Sequence, residues 1–143
     1  INFKRFAIFN QKNFLYKINL LNSNNWLGSS ICYKKYLKSP QWLRNKRFLR
    51  RGFLRKIFFK TKILEKGGWH FSFLKTPEDI SKKMKAYSHG EYLKLTDVKF
   101  IKESIDMKRF FITPDKELIK VPIDKSFPKY IRDNKKTLSK WIL

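Results

Sequence analysis

Two histidines occur in this 143-residue chain, and each sits in a short cluster of chemically capable side chains. The first cluster is Gly67-Gly68-Trp69-His70-Phe71-Ser72, which gathers two glycines, an indole, an imidazole and a hydroxyl. Adjacent glycines let a backbone turn sharply and let a ligand approach it closely. Trp69 beyond such a turn offers a flat stacking surface, and His70 offers a nitrogen for a proton or a metal ion. The second cluster is Ser88-His89-Gly90-Glu91-Tyr92, in which Glu91 has the chemistry of a general base. Both have a plain structural reading beside the functional one. His70 fits a turn histidine satisfied by a backbone carbonyl, and His89 fits a helix C-terminus, with Glu91 solvated. Arg44, Arg47, Arg50, Arg51 and Arg55 suit a phosphate or, equally, a solvated basic face.

Several reaction classes are excluded by absence of their signatures. No P-loop, no Gly-x-Gly-x-x-Gly, no nucleophile elbow and no Asp-x-Asp pair occurs. One cysteine, Cys32, rules out an internal disulfide framework and a Cys-rich zinc site. It lies in a strand-like run and reads as a buried, inert thiol. The net charge of +23 first suggests a nucleic acid or an anionic membrane as partner. Lysine is nevertheless spread over nearly the whole length, beside abundant Ile, Phe, Asn and Tyr, so a solvated basic surface is the preferred reading. Its densest stretch, residues 34–61, holds eleven cations in 28 residues. No run of about 18 apolar residues occurs, so no transmembrane helix is encoded. No secretory leader is recognised; for a microbial chain this points to the cytoplasm or a membrane surface.

These clusters need elements to hold them. Residues 3–21 alternate apolar and polar side chains and predict two strands with a turn at Asn10-Gln11-Lys12-Asn13. Asn22-Ser23-Asn24-Asn25 reads as a loop, and Trp26 to Tyr33 as a strand containing Gly28. Ser39-Pro40 opens a short helix. Residues 62–74 read as strand, Gly67-Gly68 turn and strand. Thr76-Pro77-Glu78-Asp79 starts a helix ending near Gly90, and Thr96-Asp97 starts another. Phe110 to Ile123 predicts a β segment broken at Thr113-Pro114-Asp115, and Phe127 to Leu143 a helical end. No repeat or linker divides the chain, so one α/β unit with a mixed sheet and flanking helices is expected over 1–143.

Taken together, the segments resemble glycosyltransferase family 17, the β-1,4-mannosyl-glycoprotein β-1,4-N-acetylglucosaminyltransferases. The resemblance rests on Gly67-Gly68-Trp69-His70-Phe71-Ser72 followed, after one helix, by Ala86-Tyr87-Ser88-His89-Gly90-Glu91-Tyr92. Upstream, Phe14-Leu15-Tyr16-Lys17-Ile18-Asn19 and Trp26-Leu27-Gly28 are similar to the family's aromatic strand and Trp-x-Gly, and Arg44 stands where a Leu-Arg pair is expected. Downstream, Val121-Pro122-Ile123-Asp124 and Phe127-Pro128-Lys129-Tyr130-Ile131 resemble its closing segments. The resemblance implies transfer of N-acetylglucosamine from a UDP-sugar to a glycan acceptor on a GT-A-like fold. With no Asp-x-Asp, the chain matches the C-terminal half of that domain and lacks the nucleotide-binding half, which implies a fragment inactive alone. The resemblance makes His70 the candidate ligand of a divalent metal, Mn²⁺ foremost. It makes Trp26, Arg44, Trp69, Ser72 and His89 substrate-binding candidates and Glu91 the candidate catalytic base. The alternative function is a basic nucleic-acid-binding protein of ribosomal or organellar type. A third option is association of the basic segment with an anionic membrane surface.

Overall fold

The computed structural model describes residues 3, 5–46, 62–86 and 95–143. In chain order the strands are β1 Phe6–Phe9, β2 Gln11–Leu15, β3 Leu20–Trp26, β4 Ser30–Cys32, β5 Lys62–Leu64, β6 Trp69–Ser72, β7 Arg109–Phe110, β8 Thr113–Glu117 and β9 Ile119–Lys120. The helices are α1 Pro40–Asn45, α2 Pro77–Ala86, α3 Val98–Asp106 and α4 Lys129–Asp133. The class is α/β with mixed sheets. The chain divides into two compact units, one of Ile1–Lys12 with Asn24–His70, the other of Asn13–Ser23 with Phe71–Leu143.

The first unit is organised on β1. Strand β4 pairs with it antiparallel, Phe6 opposite Cys32, and β5 pairs with it in parallel, Phe9 opposite Leu64. Cys32 on β4 is half-buried. Helix α1 starts as its sequence requires: the Ser39 side chain accepts from the Trp42 N–H at 3.0 Å, and Pro40 takes the first turn. The Trp42 ring meets Phe6 edge-on at 6.1 Å.

The second unit holds two apolar clusters that β2 separates. Alternation along a strand sends Phe14 to one side and Leu15 to the other. Phe14 joins Ile18, Phe127 and Ile131. Leu15 and Tyr16 join Leu20, Ile80, Met84, Ile101, Phe111 and Leu118, so α2 and α3 pack there. Thr76 Oγ1 accepts the Asp79 N–H and Asp97 Oδ1 the Lys99 N–H, which starts the two helices.

Three expectations are corrected. The turn between β1 and β2 is Asn10, and Gln11 to Asn13 are strand. The segment Asn22 to Asn25 is not a loop but part of β3. Strand β3 lies between β2 and β9 in its sheet, and the β9 pairing reaches only Leu20 and Leu21, so it is the ladder with β2 that overrides the turn preference of the asparagines. The break between β7 and β8 falls at Phe111 and Ile112, while Thr113 to Asp115 lie in β8. Burial of Phe111 fixes that position, and its N–H donates to the Tyr16 hydroxyl at 3.0 Å.

Tyr16 is 1% exposed, and burial pushes its phenol well above the ordinary tyrosine range. Tyr16→Phe is expected to cost about 1–3 kcal/mol at neutral pH, because it orphans the Phe111 N–H. In the unfolded chain the phenol ionises above about pH 10, whereas in the fold it stays protonated. Its stabilising contribution is therefore complete below about pH 10 and declines as pH rises further. Urea denaturation of both proteins at neutral and alkaline pH should show their stability difference shrinking above that point.

Candidate functional site

The glycine pair is explained by how two strands leave one sheet side by side. After β1 the Asn10 N–H donates to Leu64 O at 3.0 Å, Asn10 O accepts from the Gly67 N–H at 2.7 Å, and the Lys12 N–H donates to Gly68 O at 3.0 Å. A Cβ at Gly67 would stand 2.7 Å from Phe9 Cβ and 3.0 Å from Asn10 O, closer than a side chain tolerates. Gly68 has φ 105°, a region costly for residues with a Cβ. Both glycines thus have a framework role: they bring β6 alongside β2.

That framework sets the two candidate rings. His70 stacks on Trp26, centroids 3.7 Å apart and planes 12° from parallel. Trp26 in turn lies over Gly28, where a Cβ would fall 1.7–2.1 Å from its ring atoms. Trp-x-Gly and Gly-Gly-Trp-His therefore form one interlocked element. Stacking covers a face of each ring and leaves the in-plane nitrogens of the imidazole outside the contact. A sugar platform on Trp26 would have to compete with His70 for that face. Trp69 precedes His70 on β6, so its side chain leaves the opposite face of the strand, and it is 38% exposed.

Ser72 is half-buried at the end of β6, and its carbonyl accepts the Tyr16 N–H at 3.1 Å. Arg44 is exposed on α1, where its guanidinium donates to Gln41 Oε1 at 3.0 Å. His89 and Glu91 lie outside the described residues, as do Arg47, Arg50, Arg51 and Arg55. Among the described residues no three His, Cys, Asp or Glu side chains gather where a metal ion could be held. The described candidates therefore do not by themselves make a metal site.

Sequence reasoning missed a cavity in the second unit. It has a volume of about 250 Å³ and is lined by Tyr16, Lys17, Thr76, Lys102, Asp106 and Trp141 among others. It sits where β2 and β6, running in the same sense, reach their carboxyl ends. There the backbone is strained: Tyr16 has φ 63° and Phe73 φ 55°, left-handed values that are outliers for bulky residues. The contributing residues come from segments far apart in sequence, so no local motif announces them. A second cavity of about 430 Å³ is walled by Val121, Pro122, Ile123, Ile142 and two lysines. Its one amide, Asn19, is committed to Val121 O and to the Leu143 main chain.

Comparisons with protein-family models, with curated proteins and with solved structures find no match. The geometry of the stack gives its own test. In NMR spectra the His70 ring protons should lie upfield of ordinary values, because they face the Trp26 indole. Trp26→Ala should return them downfield and cost about 2–3 kcal/mol in a denaturant titration. Gly28→Ala should shift them in the same direction, since its methyl group must displace the indole.

Proposed function

We propose that this chain is the C-terminal, acceptor-side part of an N-acetylglucosaminyltransferase of the glycosyltransferase family 17 type. In this reading the fold is GT-A-like, UDP-N-acetylglucosamine is the donor and a glycan is the acceptor. The observation that carries it is the Trp26–His70 stack at 3.7 Å over Gly28. Two segments chosen for their resemblance, more than forty residues apart, meet ring on ring. Within the second unit other resembling segments also interlock. Phe14 lies 5.3 Å from Phe71 and 5.3 Å from Phe127, and Asn19 Nδ2 donates to Val121 O.

The residues then divide the work. Trp69 offers its exposed ring to a sugar face. Trp26 fixes the plane of the His70 imidazole, which would direct one nitrogen as a donor. A divalent cation in such a transferase would offset diphosphate charge as the sugar departs. In the intact protein, His70→Ala is expected to lower transfer from UDP-N-acetylglucosamine by about tenfold or more. Unchanged transfer would remove His70 from the reaction, and an intact protein that neither binds nor turns over a UDP-sugar would sink the reading.

One observation favours a second reading, a nucleic-acid partner. The residues of the first unit include sixteen Lys and Arg and one carboxylate, Glu65, to which Asn10 Nδ2 donates at 2.7 Å. Partial burial, and then the nearby charge of Lys38, hold the Lys46 ammonium below the ordinary lysine range. Charge this one-sided suits a phosphodiester backbone. Filter binding of single-stranded RNA should then lose about tenfold or more in affinity between about 50 and about 200 mM salt. A flat salt response would rule out the backbone-driven mode.

A further inference from the structure

We propose that the cavity at the carboxyl ends of β2 and β6 is a binding site for a small phosphorylated ligand, held by Lys17, Lys75, Lys102 and Lys140. The transferase reading is not a premise of this proposal. Five charged side chains line the cavity, these four lysines and Asp106. Among the described residues none of the five is in an ion pair. Four lysines and one carboxylate on the lining, with the Glu78 carboxylate near Lys102, leave a net positive site that attracts an anion. One of them is already positioned: Lys17 Nζ donates to Lys140 O at 2.8 Å, which holds it at the rim.

The surroundings narrow the ligand. A volume of about 250 Å³ is small for a ligand cavity and suits one or two phosphate groups rather than a polymer threading through. Trp141, Pro77 and Ile105 supply apolar wall for an organic part. The carboxyl ends of parallel strands are where α/β sheets place ligands, and strained backbone gathers at such places. The left-handed Tyr16 and Phe73 mark that point on both strands. The start of α2 adds nothing to the site. Its N–H groups are taken by Thr76 Oγ1, by Thr76 O and by the Glu78 carboxylate, which accepts its own main-chain N–H. Recognition therefore falls to the lysine side chains.

The test is an amide NMR titration of the whole chain with inorganic pyrophosphate and, separately, with UDP. Saturable shifts confined to the backbone around residues 16–17, 75–77, 102–106 and 140–141 are expected. Lys75→Glu with Lys140→Glu should weaken both ligands by about tenfold or more. Lys116→Glu with Lys129→Glu, exposed and away from the cavity lining, should not. UDP binding about tenfold tighter than pyrophosphate assigns the site to an organic phosphate, and equal affinity to the inorganic ion. Shifts spread over lysines along the chain, equal weakening by both variant pairs, or binding of an oligouridylate without binding of either small ligand would overturn the proposal. The wild-type shift map decides the question even if a variant misfolds.

Discussion

The first unit depends on two backbones passing within the width of one methyl group. Strands β1 and β5 are parallel, so no tight hairpin can join them, and their exits from the sheet must be kept in step by contact. Asn10 supplies that contact. Its N–H and carbonyl bond to Leu64 and Gly67, and its side chain donates to Asn25 and Glu65. A residue larger than glycine at 67 would hold the two chains apart. The hydrogen bond from Lys12 to Gly68 then sets the register of β6. That register decides which side of the strand carries His70 and which carries Trp69. The glycines thus matter to chemistry indirectly, through the rings they aim.

In the second unit the equivalent constraint is that β2 is buried on both faces. Phe14 and Leu15 are neighbours in the chain yet belong to different apolar clusters. Such a strand has no solvent face on which to place its polar atoms, so its end must be handled locally. Tyr16 does this by turning left-handed and sending its hydroxyl to the Phe111 N–H. The same turn ends the pairing with β6 and opens the space that Lys17, Lys75 and Trp141 line. Core packing and cavity therefore share one residue.

What was legible in the sequence is what short-range chemistry determines. Ser39-Pro40, Thr76-Pro77 and Asp97 each start a helix through a bond made within three residues, and each is found where its neighbours imply. The break between β5 and β6 was legible from its glycines, although what Gly67 meets there, Phe9 and Asn10, lies far away in the chain. Asn22 to Asn25 misled because asparagine favours turns locally, while in the fold these residues extend a strand that lies against β2. Thr113-Pro114-Asp115 misled likewise, since the buried Phe111, two residues earlier, fixes the turn. Trp26 and His70 were recognisable one by one as useful rings, but nothing between them in sequence says that they stack. The cavity was invisible because its lysines are ordinary members of a lysine-rich chain until the fold collects them.

Strand alternation also limits how the first cluster can act. Trp69 and His70 are consecutive on β6 and leave opposite faces, so one small ligand lying on a single face cannot touch both. The other face of that choice is fixed by Trp26, which already covers one side of the imidazole. Among the described residues, strand β6 is the terminal strand in the order β6-β2-β3-β9. An extended ligand could reach both residues by passing around that edge, as an oligosaccharide is long enough to do. A single sugar or a free nucleotide could not. If both residues serve one ligand, they must meet different parts of it.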